Sequence, residues 1–301
     1  MEQGRRKTLV DILDKTVKTI LFIMLVVYCL SLIATLAWVI VNSLNDTLFM
    51  SRFPLKFPQQ LKFSNYTDVM QVFTMIITDR RGIKMEYGLF DMMLYSLLYS
   101  GGTSLCSVIL YTAMAYVMAK YKFFGREFLY ALGIFVMVTP IIGNTASMVQ
   151  VREALHIRDN MLLLILTNTS CAFAGLHFLL LFAACKRIPW DYAESAFIDG
   201  AGHLKVFFKI MLPMVLPSCA VIFVLQFLAV WNDYETFLVW LRFYPSLSLG
   251  LVSFRYKAEV DGIGTPIVMA AFVVAMVPTI VLYLSSQKLI LDKFQIGGLK
   301  G

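Results

Sequence analysis

Six stretches of this chain contain no Asp, Glu, Lys or Arg over lengths that a soluble fold has no use for. They run from Thr19 to Asn45, Met92 to Ala119, Phe128 to Val151, Asn160 to Cys185, Ile210 to Asn232 and Gly262 to Gln287, and hold 27, 28, 24, 26, 23 and 26 residues. The next longest, Phe243 to Phe254, has 12. An α-helix rises about 1.5 Å per residue, so about 20 residues cross the hydrocarbon layer of a bilayer. All six windows reach that length, and the 12-residue one does not. None alternates apolar and polar residues strictly, which argues against barrel strands. Backbone amides in lipid must then pair within each segment, which requires helices.

The expectation is an all-α integral membrane protein with six transmembrane helices, over about 19–43, 92–118, 128–150, 160–184, 213–236 and 263–286. Around this domain, residues 19–287, lie an N-terminal segment 1–18, a polar loop 186–212 and a tail 288–301. Composition agrees: 59% of the 301 residues are hydrophobic and 15% charged, against about 25% charged in ordinary soluble domains. The first window follows Arg5, Arg6 and Lys7 but is far longer than a signal-peptide core and has no Ala-x-Ala site, so it reads as an uncleaved span.

Charge sets the expected orientation. The segments on the side of the N-terminus (1–18, 120–127, 186–209 and 288–301) hold 15 of the 26 basic and 8 of the 19 acidic residues. That side carries +7 and the other, with 11 of each, carries zero. The excess places both termini in the cytoplasm. No basic patch interleaved with aromatics is present, so nucleic acid is not an expected partner. Cys29, Cys106, Cys171, Cys185 and Cys219 lie in or beside apolar windows without a C-x-x-C pair, and His156, His177 and His203 have no metal spacing. A metal site is not expected.

Two polar segments stand out. The segment from Asp46 to Asp91 carries Phe53-Pro54 and Phe57-Pro58, then an amphipathic run through Ile77, then Asp79-Arg80-Arg81-Gly82. Turns followed by a short surface helix are expected, with a flexible tip at Arg81-Gly82. The other segment lies on the cytoplasmic side, between windows four and five. Pro189 suits a helix start, and Asp191 and Glu194 favour the positive end of the helix dipole. Gly200 and Gly202 suit a sharp bend, and a second short helix then climbs to Pro213. Such a helix–turn–helix, small-faced at Ser195 and Ala196 and carrying the Glu194 carboxylate, can slot into a groove on a cytoplasmic partner.

Glu194-Ser195-Ala196, Gly200, Ile210 and Leu212-Pro213 resemble, in register, the EAA loop of permease subunits of bacterial ATP-binding-cassette (ABC) importers. Six of the seven fixed residues match, and Ser195 stands where the pattern has Ala. Asp199-Gly200-Ala201, Trp231-Asn232-Asp233, Asn65-Tyr66, Ala115-Tyr116 with Phe124-Gly125-Arg126, and the tail from Gln287-Lys288 to Gly297-Gly298-Leu299-Lys300-Gly301 are similar to the maltose-type carbohydrate branch. The resemblance implies a type I ABC importer permease fold in the bacterial cell membrane. It implies a half-pore that pairs with a homologous second permease and two cytoplasmic ATPases. An extracytoplasmic solute-binding protein delivers a carbohydrate, expected to be an oligosaccharide, which crosses by alternating access. ATP and Mg belong to the partner ATPases. This chain has no G-x-x-x-x-G-K-[ST] loop and no catalytic constellation, so it is not expected to be an enzyme or to carry a cofactor.

The resemblance assigns ATPase coupling to Glu194, Ser195, Ala196, Asp199, Gly200, Ile210, Leu212 and Pro213. Sugars are held by aromatic faces and hydrogen-bonding groups, which makes Trp231, Asn232, Asp233 and Tyr234 candidates for the substrate pathway; Asn144 is a second candidate. An ion-coupled secondary transporter or channel is the alternative, but it predicts intramembrane carboxylates, and the six windows contain none.

Overall fold

The computed structural model describes residues 2–79, 81–139, 143, 145–168 and 175–294, with side chains described from residue 14 to 288. The chain divides into two compact units, residues 1–72 with 255–274, and residues 73–254 with 275–301.

The first unit opens with a long helix, α1 (Glu2–Ser43). Its C-terminal carbonyls need partners, as in any helix, and a following segment supplies them. Asn65 is buried and donates through Nδ2 to the Ser43 and Asn45 carbonyls at 2.8 and 2.9 Å. The Tyr66 hydroxyl meets Ser43 Oγ at 2.7 Å. The Asn-Tyr pair is thus a clip on the end of α1. Between them lies α2 (Thr47–Arg52), capped by Asp46, whose carboxylate accepts from the Leu48 and Phe49 amides; α3 (Ser64–Val72) follows. Thr47 sits so close to Gly264 that a Cβ there would lie 2.1 Å from Thr47 Oγ1.

The second unit starts with a correction. The amphipathic run through Ile77 is helical only as far as Val72, in α3; its end, expected to continue the helix, is a strand. This is β1 (Thr74–Thr78), paired antiparallel with β2 (Lys84–Gly88), Thr74 opposite Gly88 and Thr78 opposite Lys84. β-branched Thr and Ile favour the pleat. Gly82 at φ +80° closes the turn, its amide bonding to the Asp79 carbonyl at 2.9 Å. The all-α expectation therefore becomes a helical fold with one hairpin.

Then come α4 (Leu89–Lys120), α5 (Arg126–Val138), α6 (Thr145–Ala154), α7 (Met161–Thr167) and α8 (Leu176–Arg187). After the loop segment come α11 (Leu212–Trp231), α12 (Tyr234–Trp240), α13 (Leu247–Asp261) and α14 (Thr265–Phe294); α9 and α10 belong to the loop and are described below. Four helical stretches among the described residues are long and apolar enough to cross a membrane: Asp14–Ser43, Leu89–Lys120, His203–Trp231 and Thr265–Lys288. The helices expected over 128–150 and 160–184 are each found as two shorter ones. Thr139, the residue before Pro140, is extended at φ −80° and ψ 114°, as a following proline imposes. Gly143 (φ +82°) and Gly175 (φ +122°) hold conformations that favour glycine. The helix expected over 213–236 also stops early, at Trp231. Within this unit α4 is the axis, packed against both α8 and α11.

Candidate functional site

The loop between α8 and α11 is an elbow with two short arms. The first, α9 (Asp191–Ile198), begins one residue after Pro189-Trp190 and has Asp191 and Glu194 in its first turn. It ends at Gly200, whose φ of +78° lets the chain reverse, and the Ala201 amide closes the turn on the Ala196 carbonyl at 2.9 Å. The second arm is α10 (His203–Val206), which runs into a π-helical turn, Phe207–Met211, and then α11. Pro213 explains that turn. It lacks an N–H, and in a regular α-helix its ring would press on the Lys209 carbonyl. The chain widens by one residue instead, so that the Leu212 amide bonds to the Phe207 carbonyl. Such π turns are frequent at functional sites.

The side chains sort by face. Ala193 is fully buried, and Ala196 packs on the same core. Glu194, Ser195 and Asp199 are exposed, with Ser195 Oγ bonded back to the Asp191 carbonyl at 2.8 Å. Ile198 and Leu204 are 86% and 75% exposed, so the elbow presents apolar as well as acidic side chains on its outer side. The small residues therefore divide: Ser195 faces outward, while Ala196 lets the arm sit close to its own core. Ile210 and Leu212 are partly buried, and Pro213 is exposed.

Sequence reasoning missed what holds the elbow. The end of α4 grips both arms. The Lys120 ammonium donates to the Ile188 carbonyl ahead of α9. Tyr121 packs edge-on against Trp190 with ring centroids 5.8 Å apart, and its hydroxyl meets His203 Nδ1 at 2.9 Å. Phe197 stands 4.8 Å from His203 across the bend, and Tyr116 4.9 Å from Phe207. The signal was present as two aromatic-rich segments, 116–124 and 190–208, both on the side assigned to the cytoplasm. Nothing local says that they meet.

The described substrate-pathway candidates each have a structural part. Trp231 is buried and stacks on Phe227, 5.6 Å between centroids. Asn232 bonds back to the Leu228 carbonyl at 2.8 Å. Asp233 caps α12: its carboxylate accepts from the Thr236 amide at 3.0 Å and the Thr236 hydroxyl at 2.5 Å. Tyr234 is partly exposed at the first position of α12. These residues build the break after α11. Asn144 lies outside the described residues. A different cluster was missed: the Arg152 guanidinium lies 4.4 Å over the Trp240 ring and donates to Asn168 Oδ1 at 3.4 Å. Asn168 in turn donates to the Tyr99 hydroxyl at 2.9 Å.

Residues 111–295, which carry the elbow and the grip upon it, match the family described as binding-protein-dependent transport system inner membrane component. The chain belongs to that family. Its members are transport components of ABC importers, and the ATPase resides in separate subunits. The chain is 24% identical over 245 residues to the melibiose/raffinose/stachyose import permease protein MelC of Bacillus subtilis, covering 81% of this chain and 83% of that one. It is 24% identical to the diacetylchitobiose uptake system permease protein NgcG of Streptomyces coelicolor over 282 residues, 91% and 86% of the two chains. A crystal structure of a bacterial ABC transporter involved in the import of the acidic polysaccharide alginate has the same fold. Its TM-score is 0.72 at 19% identity, over 91% of this chain and 96% of that one. The type I importer permease fold is therefore the fold of this chain.

Proposed function

We propose that this permease imports a carbohydrate, an oligosaccharide, as one half of a pore driven by partner ATPases. The observation that carries the reading is the elbow: an exposed carboxylate and two exposed apolar side chains on arms clamped to α4 and continuous with α8 and α11. ATPase closure would push α9, with Glu194 accepting a charge-assisted hydrogen bond from the ATPase. Gly200 and Pro213 would keep the bend and the entry angle of α11 fixed. The push would then reach the helices and open the cavity towards a solute-binding protein; hydrolysis would reset it. ATP and Mg would be held by the ATPases, and a second permease would complete the pore. The names of MelC and NgcG, permeases for melibiose/raffinose/stachyose and for diacetylchitobiose, support the cargo.

The same reading makes six membrane spans, the third and fourth built from α5–α6 and α7–α8 as interrupted helices. Interrupted backbone is tolerated at membrane depth where protein or a water-filled cavity surrounds it. The positive side of the chain, with the elbow and both termini, would face the cytoplasm. The test is purification in mild detergent followed by reconstitution. An ATPase pair and a second permease should co-purify, and uptake should require ATP and a saccharide-loaded binding protein. Glu194→Lys should abolish uptake at wild-type insertion levels. Normal uptake by that variant, or uptake driven by an ion gradient without ATP, would overturn the reading.

A further inference from the structure

Deepening that reading, on which it rests, we propose that Arg152, Trp240, Asn168 and Tyr99 form a subsite for a carboxylate-bearing saccharide, reached from the elbow by following α4 back towards its N-terminal third. Tyr99 precedes the elbow-gripping Tyr121 by 22 residues, about 33 Å of helix rise.

The argument starts from Arg152. It is half-buried, and a guanidinium withdrawn from water needs an anion or a full set of acceptors. Among the described residues no carboxylate forms an ion pair with it. The acids of the surrounding segments are engaged elsewhere. Glu153 pairs with Arg158 at 2.9 Å. Asp159 accepts from the Arg242 amide at 2.6 Å. Asp233 is held by Thr236. Among the described residues, Arg152 has one long bond to an amide oxygen and an indole face. That leaves most of its planar fork of donors free, and the shape of that fork matches a carboxylate.

The rest of the cluster has what a pyranose ring requires. The Trp240 face, now covered by the guanidinium, is an apolar platform for the C–H face of a sugar. Asn168 and the Tyr99 hydroxyl offer a donor and acceptor beside it. Tyr99 is fully buried and fixed edge-on against Phe237, 4.9 Å between centroids. Along α4 the Ser100 and Ser104 hydroxyls are buried without hydrogen-bond partners, so polar groups lacking partners run on from Tyr99 into the bundle. The Arg152 guanidinium lies on the Trp240 face that a sugar ring would use. An arriving uronate takes the ring face, and the guanidinium turns to its carboxylate.

The test uses the complete importer in proteoliposomes, with its binding protein, and two probes: trigalacturonate and galactotriose of the same linkage, which differ only in carboxylate against hydroxymethyl. Binding-protein affinity for each probe is measured separately and serves as the reference. Arg152→Gln should lower the uptake efficiency for trigalacturonate about tenfold or more, mainly by raising KM, and change galactotriose uptake less than about twofold. Arg152→Lys should restore part of the loss, since a point charge lacks the fork. Equal loss on both probes would make the Arg–Trp pair a structural staple and overturn the proposal. So would undiminished trigalacturonate uptake in Arg152→Gln, or a wild type that imports galactotriose alone. If ATP drives uptake of neither probe, this inference fails, while the importer reading still stands or falls on ATPase co-purification and the Glu194→Lys variant.

Discussion

Gly200 offers the cleanest perturbation of the elbow, because nothing crowds it. A Cβ built there meets no atom within 4 Å, so a substitution adds no clash. What it adds is backbone strain, since φ is +78°. An L-residue in the left-handed region costs about 1–2 kcal/mol, and Asn less because its side chain can bond locally. One to two kcal/mol shifts a two-state balance by a factor of about 5–30. Gly200→Ala should therefore reduce the population of the bent elbow, and with it the apparent affinity for the ATPase pair, by up to that factor. Gly200→Asn should fall between Ala and the wild type, and Gly200→Val beyond Ala. The assay is ATP-driven uptake and ATPase co-purification at matched membrane levels, with thermal stability of the purified chain as a control. A series in which Ala, Asn and Val all transport like the wild type would refute the claim that this bend must be held. A series ranked by side-chain volume with no break at Asn would refute the conformational cause.

Three further outcomes follow from packing and charge. Gly250→Ala should destabilise the chain by about 1–3 kcal/mol, because its Cβ would lie 2.3 Å from Met92 Sδ and 3.1 Å from the Phe73 ring, both side chains being fully buried; an unchanged unfolding midpoint in detergent would contradict this. Asn65→Ala strips the Ser43 and Asn45 carbonyls of their clip and should cost about 1–3 kcal/mol, read as earlier proteolysis between α1 and α3. The Lys62 ammonium, then the Phe49 amide, hold the Asp46 carboxylate below its ordinary value. Its contribution is therefore full above the unfolded value of about 3.9 and lost as pH falls through the lower folded value. Asp46→Asn should be less stable than the wild type at pH 6, and the gap should narrow at pH 3; a gap that is constant or widens would count against the pair.

The parts of the fold that were legible in the sequence are those set by local chemistry. Absence of charge over 23 residues or more picked out the four helical stretches long and apolar enough to cross a membrane, because lipid penalises charge wherever it sits. A count of charges says nothing about backbone continuity, and three of the expected helices proved interrupted. Pro140, Gly143 and Gly175 carried that information in plain sight. The five residues of β1 fit a helical face as well as a strand, and a run that short does not fix its own period. The elbow was readable because Pro189, Gly200 and Pro213 act on their own turns. Its grip was not, since Lys120 and Tyr121 reach partners 68 and 82 residues away. Arg152 was overlooked for a related reason: it lies one residue past a charge-free window, and only the fold brings Trp240 over it.

That tertiary grip decides how far a push on α9 can travel. Chain continuity alone would connect the second arm to α11 through an unbroken helical run, but the first arm to α8 only through the short non-helical stretch at Ile188-Pro189-Trp190. The Lys120 and Tyr121 contacts add α4, which packs along both. Each ring pair in the cluster contributes about 0.5–1.5 kcal/mol beyond its burial, so separating the arms from α4 means breaking several at once. On the proposed reading the cheaper response to a push is to move the three helices together. The Tyr99 end of α4 then moves with its Tyr121 end, since nothing among the described residues of α4 interrupts its helix between them. The polar cluster around Tyr99 is thereby attached to the same rigid rod as the elbow. A saccharide site there would change shape as the ATPases close, without any separate relay through the membrane.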